Sequence, residues 1–132
     1  TFGADLIAGF PTETEDMFQA TLDIVDECGL TYLHVFPYSP RPGTPAARMP
    51  QVDRSTIKQR AARLRAKGEG RLQQYLESQV GLAVDVLVER PDIGRTPQFA
   101  EVRLAQPAAI GTLTRETIAA TDGQRLLAET RY

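Results

Sequence analysis

The 132-residue chain contains no tryptophan, one cysteine and one histidine, and these shortages narrow its chemistry at once. A single thiol, Cys28, can form no internal disulfide and supplies no multi-cysteine zinc or iron–sulfur site by itself. It suits a reducing, cytoplasmic setting. No stretch approaches the roughly 18 to 20 consecutive apolar residues of a membrane-spanning helix, and Thr1-Phe2-Gly3 lacks the charged flank and apolar run of a secretory signal, so no membrane is expected as a partner. There is no Walker loop, no dinucleotide fingerprint and no Ser/His/Asp set. The lone His34, inside an apolar run, reads as a hydrogen-bonded core residue before it reads as a ligand or base. Cys28, on the apolar side of a helix end, reads as a small buried hydrophobe.

What is present suffices for one modest globular unit or two small pieces, with 42% apolar and 24% charged residues. The first residue is Thr and the opening run is strand-like, so the chain is expected to be the C-terminal part of a longer protein. The net charge of -2 hides a segregation. Residues 1–40 hold Asp5, Glu13, Glu15, Asp16, Asp23, Asp26 and Glu27 and no Lys or Arg. Residues 41–72 answer with Arg41, Arg48, Arg54, Lys58, Arg60, Arg63, Arg65, Lys67 and Arg71 against only Asp53 and Glu69. Several bases on one helix suit a polyanion, because they release its counterions together; a solvated helix face is the other reading.

Along the chain, Asp5 to Phe10 is a short apolar run ended by Pro11, the pattern of a strand buried on both faces of a parallel sheet. A helix follows, with Thr12 as N-cap and Glu15 three residues on, Phe18, Leu22 and Val25 as its apolar line, and Gly29 as a left-handed stop. Tyr32 to Phe36 gives a second strand, and strand, helix and strand make a parallel crossover. Ligand sites in such sheets lie past the strand C-termini, at Phe10–Glu13 and in the stiff, proline-rich segment Pro37–Pro45. A long helix is expected from Arg54 to about Gln79, capped by Asp53 and weakened at Gly68 and Gly70. Beyond Gly81 the period falls to two: Val84, Val86 and Val88 alternate inward, a turn stands at 91–94, and strands are expected near 99–104, 110–113, 117–120 and 126–128. Five short strands suggest a small antiparallel barrel.

The two post-strand segments carry a resemblance. Asp5-Leu6-Ile7-Ala8-Gly9-Phe10-Pro11-Thr12-Glu13-Thr14-Glu15, followed by His34-Val35-Phe36-Pro37-Tyr38-Ser39-Pro40-Arg41-Pro42-Gly43-Thr44-Pro45, is similar to the second half of the radical S-adenosylmethionine domain of methylthiotransferases. Val86-Leu87-Val88-Glu89 and Gly94-Arg95-Thr96-Pro97-Gln98-Phe99 resemble that family's TRAM domain, a small RNA-binding barrel. The run His34 to Ser39 looks most like the branch acting on threonylcarbamoyladenosine beside the tRNA anticodon.

The resemblance implies a fold of class α/β plus β: residues 1–80 as the C-terminal piece of a partial parallel radical-SAM barrel with its connecting helix, and 81–132 as the TRAM-like barrel. It implies S-adenosylmethionine and two [4Fe-4S] clusters in the full-length protein, with cluster ligands outside this segment, which would be inactive alone. Sulfur and electron donors stay unnamed, and tRNA is the implied partner. By position, Ile7, Gly9, Phe10, Phe36, Pro37 and Tyr38 would contact the adenosyl moiety. Glu13 would either hydrogen-bond near the cofactor or serve only as a first-turn carboxylate. Arg41 and Thr44 would meet the nucleotide or brace the barrel mouth. Lys58, Arg60, Arg63 and Arg95 would face RNA phosphate, and Phe99 would stack on a base or belong to the core. Isopentenyladenosine tRNA, a ribosomal protein, or a non-catalytic RNA-binding role are the rival readings.

Overall fold

The computed structural model describes residues 1–130, and the chain divides into two compact units, Thr1–Arg71 and Leu72–Tyr132. In the first, strand β1 (Phe2–Ala8), helix α1 (Glu15–Glu27) and strand β2 (Leu30–Pro37) form a crossover, with β1 and β2 paired in parallel so that Asp5 stands opposite His34 and Ile7 opposite Phe36. The helix begins two residues later than the capping pattern suggested. Thr12 takes φ 72° in the turn after β1, and Thr14 is the N-cap, accepting from the Met17 N–H at 3.2 Å. Glu13 is then free to fold back and accept from the Gly9 N–H at 3.1 Å. Gly29, at φ 63°, stops the helix as expected.

Among the described residues, only one face of the strand pair is covered. Ala8, Phe18, Val25, Leu30, Ala61 and Leu64 form the core on the helix side, with Ala4, Leu6, Leu33 and Val35 packed against it. Successive strand residues point to opposite faces, so Ile7 and Phe36 emerge on the other side, 54% and 52% exposed. His34 and Cys28 are exposed as well, which corrects both expectations of burial: His34 has the uncovered-face parity, and Cys28 is the helix C-cap.

Helix α2 (Arg54–Gln79) runs unbroken through Gly68 and Gly70. Gly68 is a contact residue rather than a weak point, since a Cβ there would stand 3.1 Å from Leu33 Cδ1. The segregated charges meet across this unit: Arg63 bonds Glu15 at 2.6 Å, Lys67 and Arg71 flank Asp26, and Arg60 reaches Glu13 at 2.9 Å. Arg60 and Arg63 also lie over the Phe18 ring, 5.6 and 4.7 Å from its centroid.

The Arg63 hydrogen bond holds the Glu15 carboxyl below its ordinary value of 4.5, with the nearby Arg63 and Arg60 charges adding to it against a desolvation effect of opposite sign. A carboxyl that titrates lower when folded contributes stability that is complete above about pH 4.5 and lost as pH falls through the folded value. Glu15→Gln is expected to flatten the acid limb of a plot of urea midpoint against pH. An unchanged limb would show that the pair contributes nothing.

In the second unit, β3 (Ala83–Arg90), β4 (Ile93–Arg95), β5 (Glu101–Arg103), β6 (Leu113–Thr121) and β7 (Leu126–Ala128) close a barrel in the order β3-β4-β5-β7-β6. It is mixed rather than wholly antiparallel, because β5 and β7 pair in parallel. Val86, Val88, Val102, Ile118 and Leu126 fill it, with Leu72, Tyr75 and Leu76 from the last turns of α2 joining the same core. Strand boundaries shift: 93–95 is a strand where a turn was expected. Residues 110–112 turn instead, around Gly111 at φ 86°, and one long β6 replaces two short strands.

Candidate functional site

The two parallel strands end side by side, and the ladder continues one residue further, where the Tyr38 N–H donates to the Ala8 carbonyl at 2.8 Å. The loop beyond is held by its own bonds. Thr44 donates from both its hydroxyl and its N–H to the Arg41 carbonyl, at 2.8 and 3.2 Å, and a short 3₁₀ turn (Ala46–Arg48) follows. Gln51 donates from its side-chain amide to the carbonyls of Ala46 and Met49. Phe10 meets Tyr38 edge to face, with ring centroids 5.6 Å apart, and so braces the loop's first side chain.

Between strand ends and loop lies a cavity of about 470 Å³ walled by Ile7, Phe36, Pro37, Tyr38, Ser39, Arg41, Thr44 and Ala46. Six residues singled out from the sequence thus come together: Ile7, Phe36, Pro37, Tyr38, Arg41 and Thr44. Ser39 and Ala46 join them unannounced. Gly9 and Glu13 line a different part of the unit. Gly9 packs against Ile57 of α2, and Glu13 accepts from Gly9 and Arg60 with its side chain only 11% exposed.

A second cavity of about 460 Å³ shares the wall Pro37, Tyr38 and Ser39 and is completed from α2 by Arg54, Ser55, Ile57, Lys58, Ala61 and Arg65. The Tyr38 hydroxyl, in the wall common to both, is buried without a hydrogen-bond partner among the described residues. Of the bases expected to face phosphate, Lys58 is exposed at this cavity, whereas Arg60 is 7% exposed and engaged with Glu13, and Arg63 is engaged with Glu15.

The barrel carries a third cavity of about 340 Å³, which includes Arg95, Pro97, Phe99 and Leu113. Phe99 is 70% exposed at φ 65°, so it is not core. Arg95 donates to the Phe99 carbonyl at 3.2 Å and pairs with Glu89 at 3.2 Å. Asp85 and Glu89 give this cavity an acidic rim.

The fit of two kinds of cofactor can be judged from these walls. The first cavity, with aromatic and aliphatic sides and an orphaned hydroxyl, fits an adenosyl group, which needs apolar packing for its base and a few polar partners. An iron–sulfur cluster does not fit: the chain has one cysteine, and among the described residues no group of three or more His, Cys, Asp or Glu is placed to hold a metal ion. Among the described residues, no helix is long and apolar enough to cross a membrane.

No family model matches the chain. It is 49% identical over 113 residues to the threonylcarbamoyladenosine tRNA methylthiotransferase MtaB of Rickettsia prowazekii, covering 86% of this chain and 27% of that protein. It is 40% identical over 121 residues to the tRNA-2-methylthio-N(6)-dimethylallyladenosine synthase of Zymomonas mobilis, covering 86% and 27%. With the synthase of the same name from Ruegeria pomeroyi it shares 36% over 132 residues, covering 95% and 30%. The chain therefore spans under a third of the length of these curated relatives.

Proposed function

From the premise that this chain is homologous to tRNA methylthiotransferases over most of its length, we propose that it is the C-terminal portion of such an enzyme. The reaction is addition of a methylthio group to C2 of N6-threonylcarbamoyladenosine next to the anticodon. The observation that carries this choice of nucleoside is the 49% identity to the relative named for threonylcarbamoyladenosine, against 40% and 36% for the two dimethylallyladenosine synthases. Those synthases keep the dimethylallyl nucleoside as the second reading.

In this proposal residues 1–80 close part of a radical S-adenosylmethionine barrel and 81–132 form a TRAM-like RNA-binding barrel. S-adenosylmethionine, when bound, would supply the radical chemistry that replaces the adenine C2–H. This chain's own part is to hold and enclose. Ile7, Phe36 and Pro37 pack against the adenosyl group and exclude water, and the Tyr38 hydroxyl is a ready hydrogen-bond partner. Phe10 keeps the Tyr38 ring in place, while Gly9 and Glu13 shape the turn behind it. Arg41 and Thr44 border the same cavity from a loop stiffened by its own hydrogen bonds. In the barrel, exposed Phe99 offers a base-stacking surface and Arg95 a nearby cation. The two [4Fe-4S] clusters are assigned to cysteines outside this segment, which makes the segment alone inactive. The setting is cytoplasmic, with tRNA as substrate and separate sulfur and electron donors.

Nucleoside mass spectrometry of total tRNA, from cells with and without the gene, tests this directly. Loss of the 2-methylthio form of threonylcarbamoyladenosine is expected. Loss of the dimethylallyl product instead would move the substrate to the second reading, and no lost methylthio nucleoside would overturn the tRNA reading.

A further inference from the structure

The bases of α2 fall into two sets with different surroundings. Arg60, Arg63, Lys67 and Arg71 each pair with a carboxylate of Glu13, Glu15 or Asp26. Arg54 and Lys58, one helical turn apart, make no ion pair among the described residues. Among the described residues Arg65 is tied only to the Val35 carbonyl at 3.3 Å, which occupies one of its five N–H donors. These three unpaired cations line the second cavity. Where this unit uses its bases for cohesion it gives them acids; here it leaves positive charge together, beside the buried and unpartnered Tyr38 hydroxyl. Asp53, the one acid at this end of the helix, is occupied at the helix start, its carboxylate accepting from the Ser55 hydroxyl and its carbonyl from the Ile57 N–H at 3.0 Å. It is thus a fixed part of the helix start, not a counter-ion for Arg65.

We infer that this cavity binds a backbone phosphodiester of the RNA strand whose nucleoside is presented to the adjoining cavity, the one proposed above to hold the adenosyl group. The inference rests on the tRNA reading above and deepens it. The cationic cavity shares Pro37, Tyr38 and Ser39 with the apolar one, so a phosphate held in it keeps the attached nucleoside beside the cavity proposed for the adenosyl group. Phosphate contacts of this kind set the register of a strand rather than read its sequence. Arg60 and Arg63, occupied by Glu13 and Glu15, are outside this contact.

The test uses the full-length protein and a labelled anticodon stem–loop RNA, with affinity measured across a potassium chloride series. Each lost phosphate contact should lower the slope of log affinity against log salt by about 0.7, so Arg54→Gln with Lys58→Gln, which removes the one phosphodiester contact, should lower it by about 0.7. The charge-preserving pair Arg54→Lys with Lys58→Arg should keep the original slope. Both side chains are exposed, so the thermal midpoint should not move. If the wild type binds and the neutral pair leaves its slope unchanged, the cavity assignment fails while the tRNA reading stands. An equal fall in the charge-preserving pair overturns it too. If the wild type has no affinity for the stem–loop, the tRNA reading itself fails and the assignment with it.

Discussion

Arg60→Ala is expected to destabilise the protein by about 3–5 kcal/mol, the range for breaking one side of a buried ion pair. The side chains of Arg60 and Glu13 are 7% and 11% exposed, and one guanidinium nitrogen reaches both the Glu13 carboxylate and the Glu13 carbonyl at 2.9 Å. Removing it strands a carboxylate that still accepts from Gly9 and takes a guanidinium from over the Phe18 ring. Adding Glu13→Gln should recover part of the loss, because the stranded charge goes with it. Arg63→Ala provides the contrast. Its pair with Glu15 is 36% and 60% exposed, and its loss should cost about 0–1 kcal/mol. Urea unfolding of the three variants decides the matter: an Arg60→Ala effect as small as that of Arg63→Ala would remove the buried pair from the account of stability.

The same pair shows where the sequence stops informing. Acidic and basic blocks were plain from composition, but phosphate and solvent were the only partners the basic run itself suggested. Glu13 and Arg60 are 47 residues apart, and nothing local states that α1 and α2 lie side by side. Elements with a strong period were legible: β1, the end of α1 at Gly29, β2, the full length of α2, and the inward row Val84, Val86 and Val88. Burial was not. An apolar run in a two-stranded sheet reads as covered on both sides, yet Ile7 and Phe36 are half exposed because only the helix face has a neighbour among the described residues. His34 was misread for the same reason, and Cys28 because the apolar line of α1 does not show that its last residue caps the helix in the open.

At the candidate site, the rule that ligands gather past the ends of parallel strands brought Ile7, Phe36, Pro37, Tyr38, Arg41 and Thr44 to one cavity. It missed Arg54, Ser55 and Arg65 as a group, because their cavity forms only when α2 packs beside the strand-end loop. One signal was available in principle. Arg54, Lys58 and Arg65 follow i, i+4 and i+11, which puts them on one helical face, distinct from the face of Arg60, Arg63 and Lys67.

Gly9→Ala is expected to cost about 2–5 kcal/mol, from two sources that can be separated. Gly9 sits at φ 81°, where a side chain adds roughly 1–2 kcal/mol of strain. It also sits against α2: a Cβ would stand 2.4 Å from Ile57 Cγ1 and 2.9 Å from Ile57 Cβ, and forcing it into that core adds about 1–3 kcal/mol. Gly43 has nearly the same φ, 85°, and a Cβ there would meet nothing within 4 Å, so Gly43→Ala carries the strain alone. The difference between the two variants measures the contact. In an Ile57→Ala background, which removes the clashing Cγ1 and Cγ2, Gly9→Ala should cost less than it does in the wild type. Equal losses at Gly9 and Gly43 would mean that α2 yields at no cost. A larger loss at Gly9 would mean that the turn between β1 and α1, and with it Phe10 and the ring of Tyr38, is set by how closely backbone and helix approach.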